Sequence, residues 1–176
     1  MKFIEKTLSS QQIYDGRVVS LRRDEIELEN GEKSFREVIH NSGGACVLAE
    51  LDGFIYFVKQ YRYAQQKVLL EIPAGKLNEG ENPKDCAMRE LSEETGLIAD
   101  DLVLINSICP TPAYTDEIIY IYQAKGLKKG EIHLDNDEFL SVVKIPVQQV
   151  KTMLENGEFH DAKTLVALYY YFNNLK

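Results

Sequence analysis

Gly75–Leu97 reads GKLNEGENPKDCAMRELSEETGL, and the fold turns on how this stretch is read. Asn82 is suited to cap a helix, Pro83 to occupy its first position, and Gly96 to close it in a left-handed conformation. Glu90, Glu93 and Glu94 fall at i, i+3 and i+4, so their carboxylates share one face. Met88, Leu91 and Thr95 lie on another flank, suited to packing against a sheet. The acidic face sits in the C-terminal half, next to the negative end of the helix dipole. Each like-charge pair at i, i+4 costs a few tenths of a kcal/mol, and a bound cation would relieve the crowding. Hard oxygen ligands select Mg²⁺ or Mn²⁺. The competing reading is a solvated acidic face, which is the commoner origin of such a cluster.

The flanking residues favour the cation. Gly75, Glu81, Arg89, Glu90, Leu91, Glu93, Glu94, Gly96 and Leu97 match G-x(5)-E-x(7)-R-E-U-x-E-E-x-G-U at every specified position, where U is a bulky aliphatic residue. The segment resembles the Nudix box of the Nudix hydrolases. That resemblance implies a loop-helix-loop holding divalent metal on a diphosphate, with water attacking phosphorus.

Length and composition suit one ordinary globular domain of 176 residues, 44% hydrophobic and 27% charged. A net charge of −8 argues against a nucleic-acid polymer as partner. An anionic substrate must then be drawn in by local cations. Cys46, Cys86 and Cys109 are far apart with no CxxC pair, which suits free thiols in a reducing compartment. The opening MKFIEKTLSS has no apolar signal region, and no run approaches membrane-span length, so a cytoplasmic location is expected.

Along the chain, Arg17 to His40 reads as an antiparallel hairpin around the turn signal Asn30-Gly31. Asn41-Ser42-Gly43-Gly44 reads as a linker, dividing an N-terminal β element (residues 1–43) from a main domain (44–176). Ala45 to Glu50 and Phe54 to Tyr61 are nearly continuous apolar strands, as expected of strands covered on both faces. Further strands are expected over Val68–Ile72, Leu102–Ile108, Glu117–Tyr122 and Phe139–Ile145. A helix follows from Pro146 to about Glu155, and Asp161 caps a last one. Strands, one helix, strands and two helices suit an α/β (α+β) architecture with a mixed sheet between helical layers. The resemblance implies the same α-β-α sandwich.

Within the Nudix hydrolases the chain is most similar to the ADP-ribose pyrophosphatases. Ile72-Pro73-Ala74-Gly75, Pro112, Asp137-Glu138-Phe139 and Asp161-Ala162-Lys163-Thr164 carry that resemblance over nearly the whole length. It implies metal ligands at Glu90, Glu94, Glu93 and the Ala74 carbonyl. It implies substrate contacts at Arg36, Arg62, Lys76, Thr111 and Glu117. Glu138 on a late loop is the expected catalytic base, with Asp137 in reserve and Asp135 nearby, and Glu93 can orient water. From the residues themselves, Arg62 can grip phosphate bidentately or pair with Glu71, and Arg36 can equally form a surface salt bridge. Arg89 can tie the helix to Glu81. The aromatic shelf on which relatives stack adenine corresponds to Val18 and Val19, leaving Tyr14 and Phe35 as the aromatic candidates.

The expected reaction is Mg²⁺- or Mn²⁺-dependent cleavage of ADP-ribose to AMP and ribose 5-phosphate, and the resemblance implies a homodimer whose N-terminal hairpins cross to complete the partner's site. The alternatives are another nucleoside diphosphate sugar, an oxidised nucleoside triphosphate, or a module that senses ADP-ribose without cleaving it.

Overall fold

The computed structural model describes residues 3–130 and 139–174. The chain divides into two compact units, one built from residues up to Ser42 together with Cys109–Ile118 and the other from the remainder.

In the first unit, β1 (Lys6–Asp15), β2 (Ser20–Glu27) and β3 (Lys33–His40) form an antiparallel sheet in that order. The β2–β3 turn is where Asn30-Gly31 places it. Gly31 has φ 82°, and its N–H donates to the Leu28 carbonyl at 2.9 Å. The first strand is an addition to the expected hairpin. KTLSSQQIYD lacks apolar alternation, and all its residues are exposed, so only pairing to β2 makes it a strand. Cys109–Ile118 joins this unit through the end of β3. Ile39 donates its N–H to the Tyr114 carbonyl at 2.8 Å and accepts from the Asp116 N–H at 3.2 Å. Asp116 also accepts from the Asn41 N–H at 3.2 Å and lies 2.9 Å from His40 Nδ1.

The second unit contains β4 (Gly44–Leu51), β5 (Phe54–Arg62), β6 (Lys67–Glu71) and β7 (Ala74–Lys76), then helix α1 (Pro83–Thr95). It continues through β8 (Leu97–Ile98), β9 (Asp101–Ile108), β10 (Ile119–Lys125), β11 (Lys128–Lys129) and β12 (Leu140–Pro146) to α2 (Val147–Glu155) and α3 (Ala162–Asn174). The main sheet runs β12-β5-β4-β10-β9, with β6 on β5 and β7 on β4. The β4–β10 pair is parallel and the others are antiparallel, so the sheet is mixed.

Alternation along β4 builds two cores. Ala45, Val47 and Ala49 pack with Cys86, Ala87 and Leu91 of α1, whereas Cys46 and Leu48 pack with Val150, Leu154, Ala167 and Leu168 of α2 and α3. This is the α-β-α layering expected. Leu91 is fully buried, and burying such a side chain contributes about 1.5–3 kcal/mol.

One expectation needs correction at its edge. The strand expected from Glu117 begins at Ile119, because Glu117 follows the turn clasped to Ile39 and gives its N–H to Thr115 Oγ1 at 3.1 Å. β7 was not expected, since Ala-Gly-Lys has no strand propensity and forms only by pairing with Gly44–Cys46. All three cysteines are free thiols. Among the described residues no helix is long and apolar enough to cross a membrane.

Candidate active site

Helix α1 starts and stops as its sequence dictates. The Asn82 side chain accepts from the Lys84 N–H at 2.9 Å, Pro83 is the first helical residue, and Gly96 closes the last turn at φ 68°. Its acidic face is not solvated. Glu90 and Glu94 are 6% and 2% exposed, which removes the surface-face reading for these two. Glu93 is half-buried.

The carboxylates are held by defined partners. Glu94 Oε2 accepts the Ala74 N–H at 2.8 Å, joining the helix to β7. Arg89 is the hub of the other side. It reaches Glu81 through Nε at 3.0 Å and Nη2 at 3.1 Å, Glu90 through Nη1 at 2.6 Å, and Glu93 through Nη1 at 3.0 Å. Its Nη2 also donates to the Lys76 carbonyl at 3.2 Å. The Arg89 hydrogen bonds, helped by the Asn78 N–H, pull the Glu81 carboxyl down to about 2, so it stays ionised across the physiological range. The same carboxylates raise Arg89 above its ordinary value. Burial pushes the nearby Cys86 thiol up to about 12, making it a packed, unreactive group.

Gly75 explains how Glu90 reaches this position. A Cβ on Gly75 would fall 1.8 Å from Glu90 Oε1, so the carboxylate lies directly against the backbone of β7. Two buried carboxylates beside a peptide strand form a hard-oxygen donor set of the kind that Mg²⁺ or Mn²⁺ takes. Among the described residues the acidic groups are turned to Arg89 and to backbone N–H groups, not gathered as a three-carboxylate cage. Of the ligands the resemblance implies, Glu90 and Glu94 are buried beside β7, and Ala74 meets Glu94 through its N–H. Gly75→Ala is therefore expected to displace Glu90 and weaken Mn²⁺ binding by about tenfold or more, on the scale of about 1 Å misplacements at a site. Mn²⁺ titration followed by electron paramagnetic resonance, on protein with unchanged circular dichroism, measures this. Unaltered Mn²⁺ affinity would contradict it.

The remaining expected residues fall in both units. In the second, Lys76 is exposed at the end of β7, and its carbonyl is already a partner of Arg89. Arg62 ends β5 and grips Glu71 with both edges of one fork, Nε at 2.6 Å and Nη2 at 2.7 Å. In the first unit, Arg36 pairs with Glu5. Thr111 offers its carbonyl to the Tyr114 and Thr115 N–H groups, and Glu117 lies just beyond that turn. Phe35 carries the Arg23 guanidinium 4.0 Å from its ring centroid, so one ring face is already taken. Tyr14 is exposed, with its ring folded against Gly16. Glu138, Asp137 and Asp135 lie outside the described residues.

One cluster was only partly expected. Glu71, 1% exposed, has the partner the sequence offers, Arg62, and a second, Lys163. Lys163 also reaches Asp161 at 2.9 Å, while Asp161 Oδ2 accepts from both the N–H and the hydroxyl of Thr164. Thr164 Oγ1 in turn accepts the Ile72 N–H at 2.9 Å. A signal was present in the sequence. A lysine in the first turn of a helix opposes the dipole, so its place there calls for an acidic partner elsewhere in the fold.

Comparison with known proteins agrees with the geometry. Residues 39–168 match the NUDIX domain family, and residues 5–39 match the nucleoside diphosphate sugar hydrolase N-terminal domain. An ADP-ribose pyrophosphatase of Bacillus subtilis (strain 168) is 40% identical over 169 residues, covering 94% of this chain and 91% of the relative. A protein of Bacillus methanolicus named methanol dehydrogenase activator is also 40% identical, over 171 residues, covering 96% of this chain and 92% of the relative. A crystal structure of an ADP compounds hydrolase superposes with a TM-score of 0.84 at 22% identity, over 96% of this chain and 92% of that one, a likeness of fold. With the box complete in sequence, its two inner carboxylates buried against β7, and the family match spanning most of the chain, this protein belongs to the Nudix family.

Proposed function

We propose that this chain hydrolyses the diphosphate bond of ADP-ribose, adding water to give AMP and ribose 5-phosphate, and that it works with Mg²⁺, or Mn²⁺ in its place. The observation that carries the reading is the 40% identity, over 94% of this chain, to an ADP-ribose pyrophosphatase, in a chain that keeps every box carboxylate. A divalent cation, when bound, would supply charge neutralisation at the diphosphate and lower the pKa of water there. Glu90, Glu94 and the Ala74 carbonyl hold it. Arg62 sets positive charge beside the phosphates, where a guanidinium's fixed donors match phosphate oxygens. Glu93 orients the attacking water, and Glu138 takes its proton.

The enzyme acts as a cytoplasmic homodimer whose N-terminal β element, residues 1–43, provides the subunit contact. Exposed Phe3, Ile4, Leu8 and Ile13 in that element supply apolar area for such a contact.

A second reading, the same hydrolysis acting on another nucleoside diphosphate sugar, has its own support in the match of residues 5–39 to the nucleoside diphosphate sugar hydrolase N-terminal domain. A sensor without turnover is disfavoured by the retained carboxylates. The deciding experiment is a panel of ADP-ribose, GDP-mannose and an oxidised nucleoside triphosphate with Mg²⁺. The expected result is AMP released from ADP-ribose at the highest kcat/KM. Preference for the triphosphate with release of pyrophosphate would overturn the substrate assignment, and tight ADP-ribose binding without turnover would favour the sensor.

A further inference from the structure

The Glu71 cluster has a composition that packing alone does not require. Glu71 is buried at the end of β6 and faces a cation on each side. Arg62 takes both of its oxygens, and Lys163 takes Oε2 from the direction of α3. The two cations differ in setting. Lys163 is 9% exposed in its side chain and locked to Asp161 as well, whereas the Arg62 side chain is 38% exposed. The lysine is thus an interior anchor and the arginine an outward-facing group.

Bidentate pairing through Nε and Nη2 fixes the guanidinium plane and leaves the Nη1 edge directed away from Glu71. Its partner Glu71 ends β6 just ahead of Ile72-Pro73-Ala74, and the Ala74 N–H is held by Glu94, one of the carboxylates proposed to hold the cation. A loose arginine on a strand end would lose much of its side-chain freedom on gripping an anion, at a cost in affinity. An arginine already held at one edge loses less.

We propose that Glu71, anchored from behind by Lys163, is a positioning residue that presents the Arg62 guanidinium to the substrate diphosphate. Lys163 contributes without touching substrate. It neutralises and immobilises Glu71, so the buried carboxylate stays ionised and aimed. This assignment rests on the diphosphate hydrolase reading above.

The test is a double-mutant cycle of Arg62→Ala and Lys163→Met, read as kcat/KM on ADP-ribose with Mg²⁺ and as calorimetric affinity for a nonhydrolysable methylene analogue. Circular dichroism and a thermal melt establish that each variant is folded at the assay temperature. Lys163→Met alone is expected to lower both quantities by about tenfold, as a misaimed charge does. In the Arg62→Ala background the same change is expected to have little further effect, because its route of action is gone. Effects that multiply would overturn the proposal, since a general loosening of the fold acts regardless of Arg62. Should Lys163→Met fail to fold, the cycle is run with Glu71→Gln, which keeps the shape and one acceptor oxygen. Wild-type protein that neither cleaves ADP-ribose nor binds the analogue would sink the substrate reading and this assignment together. An active wild type with unaltered Lys163→Met and Glu71→Gln variants would sink this assignment alone.

Discussion

Glu94→Gln is expected to lower kcat on ADP-ribose by about 10³-fold, equivalent to about 4 kcal/mol of transition-state stabilisation. The substitution removes charge and little else. The glutamine carbonyl can still accept the Ala74 N–H that Glu94 Oε2 accepts at 2.8 Å, so the tie between α1 and β7 survives. What disappears is a buried anion, 2% exposed, whose ionised form is suited to hold a divalent cation. Glu90→Gln should act in the same direction, with an added consequence: it also withdraws a charged partner from Arg89. Rates measured over a range of Mg²⁺ concentrations, together with Mn²⁺ binding followed by paramagnetic resonance, separate lost cation affinity from lost fold. Folded Glu94→Gln protein within threefold of the wild-type rate would remove the cation from the account of this helix.

Lys163→Met is expected to have the largest effect on stability, lowering it by about 3–5 kcal/mol, the range for deleting one partner of a buried ion pair. For a chain of this size that corresponds to a melting temperature lower by roughly 6–20 °C. Methionine fills the space but leaves Glu71 and Asp161 without the cation they share. The effect should depend on pH in a definite sense. Burial alone would push the Glu71 carboxyl up, yet Arg62 and Lys163 outweigh it and hold the group at about 2, against an ordinary value of 4.5. A lowered folded-state value means the stabilisation is fully present above about 4.5 and is lost as pH falls from there towards 2. Without Lys163 the carboxyl takes up its proton at higher pH. The acid-unfolding midpoint of Lys163→Met should therefore move upward, and the gap in stability between variant and wild type should narrow below pH 4.5. A difference in melting temperature that is constant from pH 7 to pH 3 would show that the ion pair is not its source.

Much of the molecule is legible in the sequence. Local signals govern α1: Asn82, Pro83 and Gly96 determine its ends by backbone chemistry within a few residues, and the structure agrees with each. Apolar runs located β4 and β5, and Asp161 located the start of α3, for the same reason. The box spacing singled out Glu90 and Glu94 because a helix period is an arithmetic property of the chain.

Tertiary structure decided the matters that depend on distant partners. β1 and β7 are strands only because β2 and β4 offer them unpaired backbone, which no local propensity announces. Whether Glu90 and Glu94 met water or the interior depended on how α1 lies against the sheet and on a glycine at 75 that lets a carboxylate touch backbone. The joining of Arg62, Glu71 and Lys163, the last of them far along the chain, required β5, β6 and α3 to be folded together. Electrostatic energy depends on separation in space, and separation along the sequence does not determine it.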